Sequence, residues 1–369
     1  MRLLIVSHSY VLANTRGKIR ELGRMADVTL LIPSKWPFGM VTASAEPEAT
    51  ALFDVVMSPV ALAGRNIRYV YSPRTVWRSL RCARPECVLV EEESGSLALA
   101  QFSLLSRWLG FRLLFFAWEN INWRPRLTRW TERLNFATAD GAVVGSQEAA
   151  HVLRKKGFAR PVAVVPQMGV DIQQFCPNDW PPPAPPFVIC YAGRFVEEKG
   201  LRALFQAAAC LTGKWELHMI GDGPLRTELQ RLAERSGWAS RLRWLGYVER
   251  HEMPTHLRRA HVLVLPSHST GRWKEQFGRV LIEAMACGVP VVGSDSGAIP
   301  EVIGDAGLIF PQGDASRLGE LLQSLMDNPG LRQELSAQAV QRVRDRFTDR
   351  AIAEVLYDFL IAPQGQIGA

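Results

Sequence analysis

A chain of 369 residues is too long for one hydrophobic core of ordinary size and predicts two domains. Its composition, 47% apolar and 21% charged, is typical of a globular protein and excludes a largely disordered one. The six cysteines form no C-x-x-C pair and the seven histidines form no metal-binding motif, so we expect neither a disulfide framework nor a structural zinc site.

Short apolar runs alternate with helical patterns along the chain, which predicts βαβ units and parallel sheets. The run Leu3–Val6 is shorter than the core of a signal peptide, about 7–15 apolar residues, and is predicted to be a buried strand. The other strands predicted in this half are Val28–Ile32, Asp54–Met57, Cys87–Val90, Arg112–Ala117, Ala142–Gly145 and Val162–Val165. Helices are predicted from Ser72-Pro73 and over Ser96–Leu109.

The segment PNDWPPPAPP, residues 177–186, is too rich in proline for a helix or a sheet and predicts a stiff connector. The strands predicted after it are Phe187–Ala192, Glu216–Ile220, Leu242–Leu245, Val262–Leu265, Val289–Val292 and Leu308–Phe310. We therefore predict α/β architecture with two Rossmann-like, doubly wound domains facing across a cleft. The predicted ranges are 1–170 for the first domain, 171–186 for the linker, 187–347 for the second domain and 348–369 for a terminal helix that either stays there or crosses back to the first domain.

Two glutamates bracket the start of a predicted helix in the second half. Glu275 lies in a loop, and Glu283 lies in the second turn of the amphipathic helix that follows Gly278. Eight residues span at most roughly 12 Å if helical, which is similar to the separation between a donor sugar and the ribose of its nucleotide. Backbone N–H groups at such a helix start favour a diphosphate, so one carboxylate can hold sugar hydroxyls while the other holds the ribose.

A turn with two cations precedes this motif. Arg194 and Lys199 lie in the segment GRFVEEKG, residues 193–200, directly after the first strand of the second domain, and their charges suit a pyrophosphate. Two further turns, GDGP over 221–224 and GAIPE over 297–301, also follow strands.

Together these segments resemble the retaining glycosyltransferases of family 4, which have the GT-B fold and the signature E-x7-E. The resemblance covers the second domain and implies a nucleotide-sugar donor as co-substrate. The residues it assigns to donor binding are Gly193, Gly221, Gly223, Phe277, Gly278, Val280 and Glu283, with Arg194, Lys199 and Glu275 as catalytic residues. Ala298 replaces the second glycine of the family's G-G-x-P-E turn, which puts a direct backbone contact there in doubt.

The first domain departs from the family. Its first loop has only Gly17 where a glycine pair is usual, and the predicted acceptor-side residues are His8, Asn14, Arg16 and Gly17, against the alternative of a structural loop. Glu119 follows a strand at the same sheet edge and is predicted to act in catalysis or to orient the sugar. The run Glu91-Glu92-Glu93 also follows a strand and is expected to be a solvated loop.

The basic charge is concentrated in the first half. Residues 60–135 contain twelve arginines, no lysine and six acidic residues. Arg74, Arg78 and Arg81 share one helix face, with Trp77 beside it and Arg84 following, and Trp36-Pro37-Phe38 is predicted to be an exposed aromatic loop. Two interpretations stay open, an anionic lipid or phosphorylated acceptor and a solvated surface of internal salt bridges.

We therefore predict a retaining glycosyltransferase that uses a UDP- or GDP-sugar and a glycan or lipid-linked acceptor. No D-x-D motif is present, so no metal is expected. The alternatives are a nucleotide-sugar epimerase or hydrolase and an inactive membrane-surface protein. Nucleic-acid binding is not expected, because no recognised motif accompanies the arginines. No apolar run approaches the roughly 20 residues of a membrane span, so we expect a cytoplasmic protein, with peripheral binding at the inner face of the cytoplasmic membrane as an option.

Overall fold

The computed structural model describes residues 1–38, 41–65, 67–122, 128–177, 182 and 184–362. The chain forms two compact units, one of Met1–Gly169 with Asp349–Ala369 and the other of Val170–Thr348. The predicted linker, 171–186, is therefore counted within the second unit, although 178–181 and 183 lie outside the described residues. The boundary falls earlier than predicted because the Val170 N–H donates to the carbonyl of Phe347 at 2.8 Å, and Phe175 is fully buried.

The first unit is built on a seven-stranded parallel sheet. Its strands and those of two short pairs are β1 Arg2–Val6, β2 Asp27–Pro33, β3 Lys35–Phe38, β4 Val41–Ser44, β5 Asp54–Ser58, β6 Val60–Ala61, β7 Val70–Tyr71, β8 Cys87–Val90, β9 Arg112–Ala117, β10 Gly141–Val144 and β11 Val162–Val164. Its helices are α1 Gly17–Gly23, α2 Pro73–Ala83, α3 Leu97–Leu109, α4 Arg129–Thr138, α5 Gln147–Lys155 and α13 Asp349–Ile361. The strand order is β11-β10-β9-β8-β1-β2-β5, so the topological switch point lies between β1 and β8.

Both faces of this sheet are covered, which explains why its central strands read as continuous apolar runs. Leu4, Val6 and Phe115 belong to one core cluster, which also takes side chains from α2 and α3. Leu3 and Ile5 belong to the cluster on the other face, where α1 and α13 pack. The C-terminal helix therefore completes the core of the first unit.

The antiparallel pair β3–β4 was not predicted. Trp36 in β3 is 3% exposed, and its ring lies against those of His8 and Tyr69. The prediction of an exposed aromatic loop at Trp36-Pro37-Phe38 is therefore wrong at Trp36. The residue that was expected at the surface instead fills the first core cluster.

The second unit repeats the architecture with a six-stranded parallel sheet. Its strands are β12 Phe187–Ala192, β13 Trp215–Ile220, β14 Leu242–Gly246, β15 Val262–Leu265, β16 Val291–Ser294 and β17 Leu308–Phe310. Its helices are α6 Leu201–Ala209, α7 Arg226–Arg235, α8 Met253–Leu257, α9 Arg279–Ala286, α10 Ile299–Ile303, α11 Ala315–Asp327 and α12 Pro329–Arg346.

The strand order of this sheet is β14-β13-β12-β15-β16-β17, so β12 pairs on one side with β13 and on the other with β15. The switch point therefore lies between β12 and β15, where loops after the strand ends diverge to opposite faces. The predicted α/β fold of two Rossmann-like domains is confirmed. No helix among the described residues is long and apolar enough to cross a membrane.

Candidate functional site

A largely buried ion pair lies at the switch point of the second sheet. Lys199 ends the short 3-10 turn Glu197–Lys199 after β12, and Glu275 lies in the long loop after β15. The Lys199 Nζ is 2.5 Å from Glu275 Oε2, and the Ser267 hydroxyl donates to the same oxygen at 2.9 Å. The structure thus brings together two of the predicted catalytic residues, and Ser267 is a partner that the sequence did not reveal.

The two predicted cations of the turn differ in environment. The Lys199 side chain is only 14% exposed, and its Nζ lies 4.8 Å from the centroid of the Trp273 ring, a cation–π distance. The Arg194 side chain is exposed, while its backbone carbonyl accepts a hydrogen bond from the Tyr191 hydroxyl at 2.9 Å. Lys199 is therefore fixed in place, whereas the Arg194 guanidinium faces solvent.

The glycines of the first two turns pack backbone against backbone. Gly221 has φ +117°, and a Cβ there would lie 2.1 Å from the Gly193 carbonyl oxygen. A Cβ on Gly223 would lie 2.5 Å from the carbonyl oxygen of Phe195. These glycines are thus required for the two turns to touch, whether or not a ligand also approaches them.

The third turn, residues 297–301, packs against the backbone of Glu275. Gly297 has φ +56°, and a Cβ there would lie 2.1 Å from the Glu275 carbonyl oxygen, which also accepts the Ala298 N–H at 3.0 Å. Ala298 is 2% exposed, so its N–H is used inside the protein.

Helix α9 begins one residue after Gly278, whose φ of +78° lies in the left-handed region. Val280 lies half-buried in its first turn, and the buried Phe277 packs edge-on against Phe347 at 5.8 Å. The predicted distance between the two glutamates assumed that all the residues from Glu275 to Glu283 are helical. Residues 275–278 are not helical, so that assumption holds only from Arg279 onward.

Glu283 is held between two arginines. Its Oε1 lies 3.3 Å from Arg250 and 3.3 Å from Arg279, one turn earlier on α9. Burial raises the pKa of this carboxyl, and the two guanidinium groups oppose that shift. Arg250, which lies between β14 and α8, was not predicted, because nothing in its local sequence connects it with α9.

In the first unit, the glutamate run after β8 is not a solvated loop, and that prediction is wrong. Glu91 and Glu92 are 2% and 4% exposed. Glu91 pairs with the buried Lys18 at 2.6 Å and accepts a hydrogen bond from Gln167 at 2.8 Å. The sequence contained one signal that these glutamates are not merely solvated, because they directly follow a buried strand. The carboxyl ends of the strands are the sheet edge where α/β proteins place functional groups.

Glu119, predicted to be catalytic, is paired with Lys156, which also lies 3.1 Å from Glu132. Glu93 accepts the Trp118 N–H at 2.9 Å and so holds the loop that carries Glu119. Glu93 is half-buried overall, but its Oε2 is closed to solvent and has no hydrogen-bond partner among the described residues. Burial, with the nearby charge of Glu119, raises its pKa to about 7.

The four residues predicted on the acceptor side differ in exposure and in their contacts. The His8 Nδ1 lies 2.6 Å from Glu92, at the switch point of the first sheet, and Asn14 is exposed. Arg16 is fully buried, and its guanidinium donates to the carbonyls of Tyr10, Val11 and Glu46, as a structural loop residue does. A Cβ on Gly17 would lie 1.8 Å from a carboxylate oxygen of Asp349, so this glycine admits the first turn of α13. Only His8 and Asn14 keep a side chain that reaches solvent.

Residues 173–342 match the model of the family "Glycosyl transferases group 1". A putative colanic acid biosynthesis glycosyltransferase, WcaL of Escherichia coli K12, is 31% identical over 201 residues, 53% of this chain and 48% of that protein. The lipopolysaccharide core biosynthesis glycosyltransferase LpsD of Rhizobium meliloti is 28% identical over 247 residues, 63% of this chain and 67% of that protein. The chain thus spans about half to two thirds of the length of these curated relatives.

Among solved structures, Anabaena HepE in complex with UDP superimposes with a TM-score of 0.71 at 16% identity, over 98% of this chain and 99% of that one. The fold is therefore that of the GT-B glycosyltransferases. The sequence match to the glycosyl transferases group 1, over residues 173–342, lies within the second unit. The narrower prediction of family 4 stays a prediction.

Proposed function

We propose that the chain is a retaining, metal-independent glycosyltransferase that moves a sugar from a UDP- or GDP-sugar to a hydroxyl of a glycan or lipid-linked acceptor. The observation that carries the proposal is the Lys199–Glu275 pair at the switch point of a sheet whose sequence matches the glycosyl transferases group 1. The names of the relatives, which refer to colanic acid and lipopolysaccharide core, support an envelope glycan as acceptor. The UDP in the HepE complex supports a nucleotide donor.

In the proposed reaction, the bond between the anomeric carbon and the diphosphate breaks, and the acceptor oxygen bonds to that carbon on the same face. The acceptor proton passes to the departing phosphate, so no strong protein base is required. Lys199 and Arg194 offset the growing phosphate charge, together with the N–H groups at the start of α9. Glu275, fixed by Lys199 and Ser267, orients sugar hydroxyls, and Glu283 binds the ribose.

On the acceptor side, we assign the carboxyl ends of β1 and β9. His8, oriented by Glu92, and Glu119, paired with Lys156, are the two predicted residues there whose side chains are partly exposed and held by a buried partner. Neither is required as a base in the proposed reaction. Their role is to position the acceptor and the sugar at the inner face of the cytoplasmic membrane, where we place the protein.

A thermal-shift panel of UDP- and GDP-sugars tests the donor assignment. A ligand of the native state present at 100 times its Kd stabilises by about 2.7 kcal/mol. We expect one nucleotide class to raise the melting temperature of the wild type and to have little effect on Lys199→Ala. Lys214→Ala, at an exposed lysine just before β13, serves as the matched control. A folded wild type that responds to no nucleotide sugar at millimolar concentration contradicts the proposal.

A further inference from the structure

An exposed aromatic cluster lies on the outer faces of α2 and α3 in the first unit. The indoles of Trp77 and Trp108 stack with centroids 5.3 Å apart and an interplanar angle of 21°. Trp108 is 70% exposed and Leu104, one helical turn earlier on α3, is 69% exposed. Large apolar side chains contiguous at the surface are typical of interaction sites rather than of free protein surface.

The same surface is basic. Arg74, Arg78 and Arg81 are exposed on α2, a helix whose sequence, PRTVWRSLRCA, has no acidic residue. The Arg81 guanidinium lies 5.7 Å from the centroid of the Trp77 ring. Within the described part of the chain, none of these three arginines takes part in an ion pair, whereas Arg2, Arg16 and Arg20 of the same unit do. The interpretation of these arginines as members of internal salt bridges is therefore not supported.

We propose that this surface, defined by Trp77, Leu104 and Trp108 with Arg74, Arg78 and Arg81, docks on an anionic lipid bilayer. Indole rings combine an apolar body with an N–H donor and prefer the boundary between hydrocarbon and headgroups. Unpaired arginines around them attract phosphate headgroups. A neutral protein partner would gain from the indoles alone and would not require the excess positive charge.

The two helices that carry this surface pack against the core of the first unit, so the geometry of the surface is fixed. Val76 and Leu80 of α2 and Phe102 of α3 point into the first core cluster, so the opposite faces of both helices are turned outward together. The docking surface rests on the proposed placement of the protein at a membrane and names the residues that would bind there, and it is measured by binding alone, without any sugar transfer. Failure of docking and failure of the donor assignment are therefore separate results.

Sedimentation of the full chain with vesicles tests the proposal. We expect wild type to pellet with vesicles of phosphatidylcholine and phosphatidylglycerol, to stay in solution with phosphatidylcholine alone, and to pellet less at high salt. Replacing each arginine is expected to lower the partition coefficient roughly fivefold, so Arg74→Ala, Arg78→Ala and Arg81→Ala together lower it roughly a hundredfold. Trp108→Ala is also expected to lower it, and to reduce the blue shift of tryptophan emission on adding vesicles.

The matched control is Arg231→Ala, Arg235→Ala and Arg344→Ala together, three exposed arginines of the second unit with the same loss of charge. This variant should pellet like wild type. The proposal is overturned if wild type ignores anionic vesicles, or if the two triple variants, both folded by circular dichroism, weaken binding equally. It is also overturned if wild type dimerises and Trp108→Ala is monomeric while vesicle binding is absent, because the surface then joins two copies of the chain.

Discussion

The Lys199 ammonium lies 2.5 Å from the Glu275 carboxylate, although 76 positions separate the two residues in the sequence. Each holds the other: the carboxylate offsets the charge of a largely buried lysine, and the lysine fixes one carboxylate oxygen. A ligand phosphate that binds Lys199 is therefore expected to weaken the ion pair and to change the position of the Glu275 carboxylate. The donor-site predictions follow from this coupling.

Lys199→Ala and Glu275→Ala are each expected to lower kcat/KM for sugar transfer by roughly 10²–10³-fold, because each removes a charge aligned with the reacting groups. The double variant is expected to lose much less than the product of the two losses, since residues in contact do not act independently. Initial rates with a saturating acceptor measure this, with Lys214→Ala as the folded control. Strict multiplicativity of the two losses would show that the pair does not act as a unit.

Gly297→Ala is expected to displace Glu275. The new methyl group would meet the Glu275 carbonyl oxygen at 2.1 Å, and φ +56° adds roughly 1–2 kcal/mol of backbone strain for a residue with a Cβ. We expect a lower melting temperature and loss of donor binding. Gly271→Ala is the matched control, because a Cβ there has nothing within 4 Å. Equal behaviour of the two variants would contradict the packing described.

Arg16→Ala is expected to destabilise the first unit by about 3 kcal/mol, because it leaves the buried carbonyls of Tyr10 and Val11 and the partly buried carbonyl of Glu46 without their guanidinium donor. The melting temperature of the full chain measures this. Asn14→Ala, in the same loop but exposed, should leave stability unchanged. If Arg16→Ala melts like wild type and instead raises the KM for acceptor, the residue is an acceptor ligand.

Glu93 predicts a pH dependence of stability. Its pKa is about 7 in the folded protein against an ordinary value of 4.5, so between these values the native state binds a proton that the unfolded state has released. Stability is therefore fully present below about pH 4.5 and falls as pH rises toward 7, by about 1–3 kcal/mol given the partial exposure of the residue. Relative to Glu93→Gln, wild type should lose melting temperature from pH 5 to pH 8. A constant difference between the two proteins over that range would refute this assignment.

Sugar transfer is expected to survive excess EDTA, because Lys199, Arg194 and the start of α9 are proposed to offset the diphosphate charge. Rates with and without chelator, in protein freed of bound metal, measure this. Complete loss of activity that magnesium or manganese restores would show that a divalent ion carries this charge instead.

Much of the fold was encoded locally. Strands buried on both faces appear as uninterrupted apolar runs, so Phe187–Ala192 and Val262–Leu265 were predicted with the bounds that the structure gives them. The partly buried edge strand Leu308–Phe310 was predicted with the correct bounds as well. The terminal helix, predicted within residues 348–369, is Asp349–Ile361 in the structure, and its buried apolar residues recur at helical spacing. The glycine turns and the E-x7-E segment are also local, so they could be recognised without knowing their partners.

Contacts between distant segments were decided only by the order of strands in each sheet. Because β12 pairs with β15, Lys199 meets Glu275, and because β1 pairs with β8, His8 meets Glu92. Neither pairing leaves a trace in local periodicity. For the same reason the sequence-based prediction placed Trp36 at the surface. The hydrophobic pattern shows that a side chain favours burial, but it does not show which residues cover that side chain. The rings that cover Trp36, those of His8 and Tyr69, come from chain segments that meet only on folding.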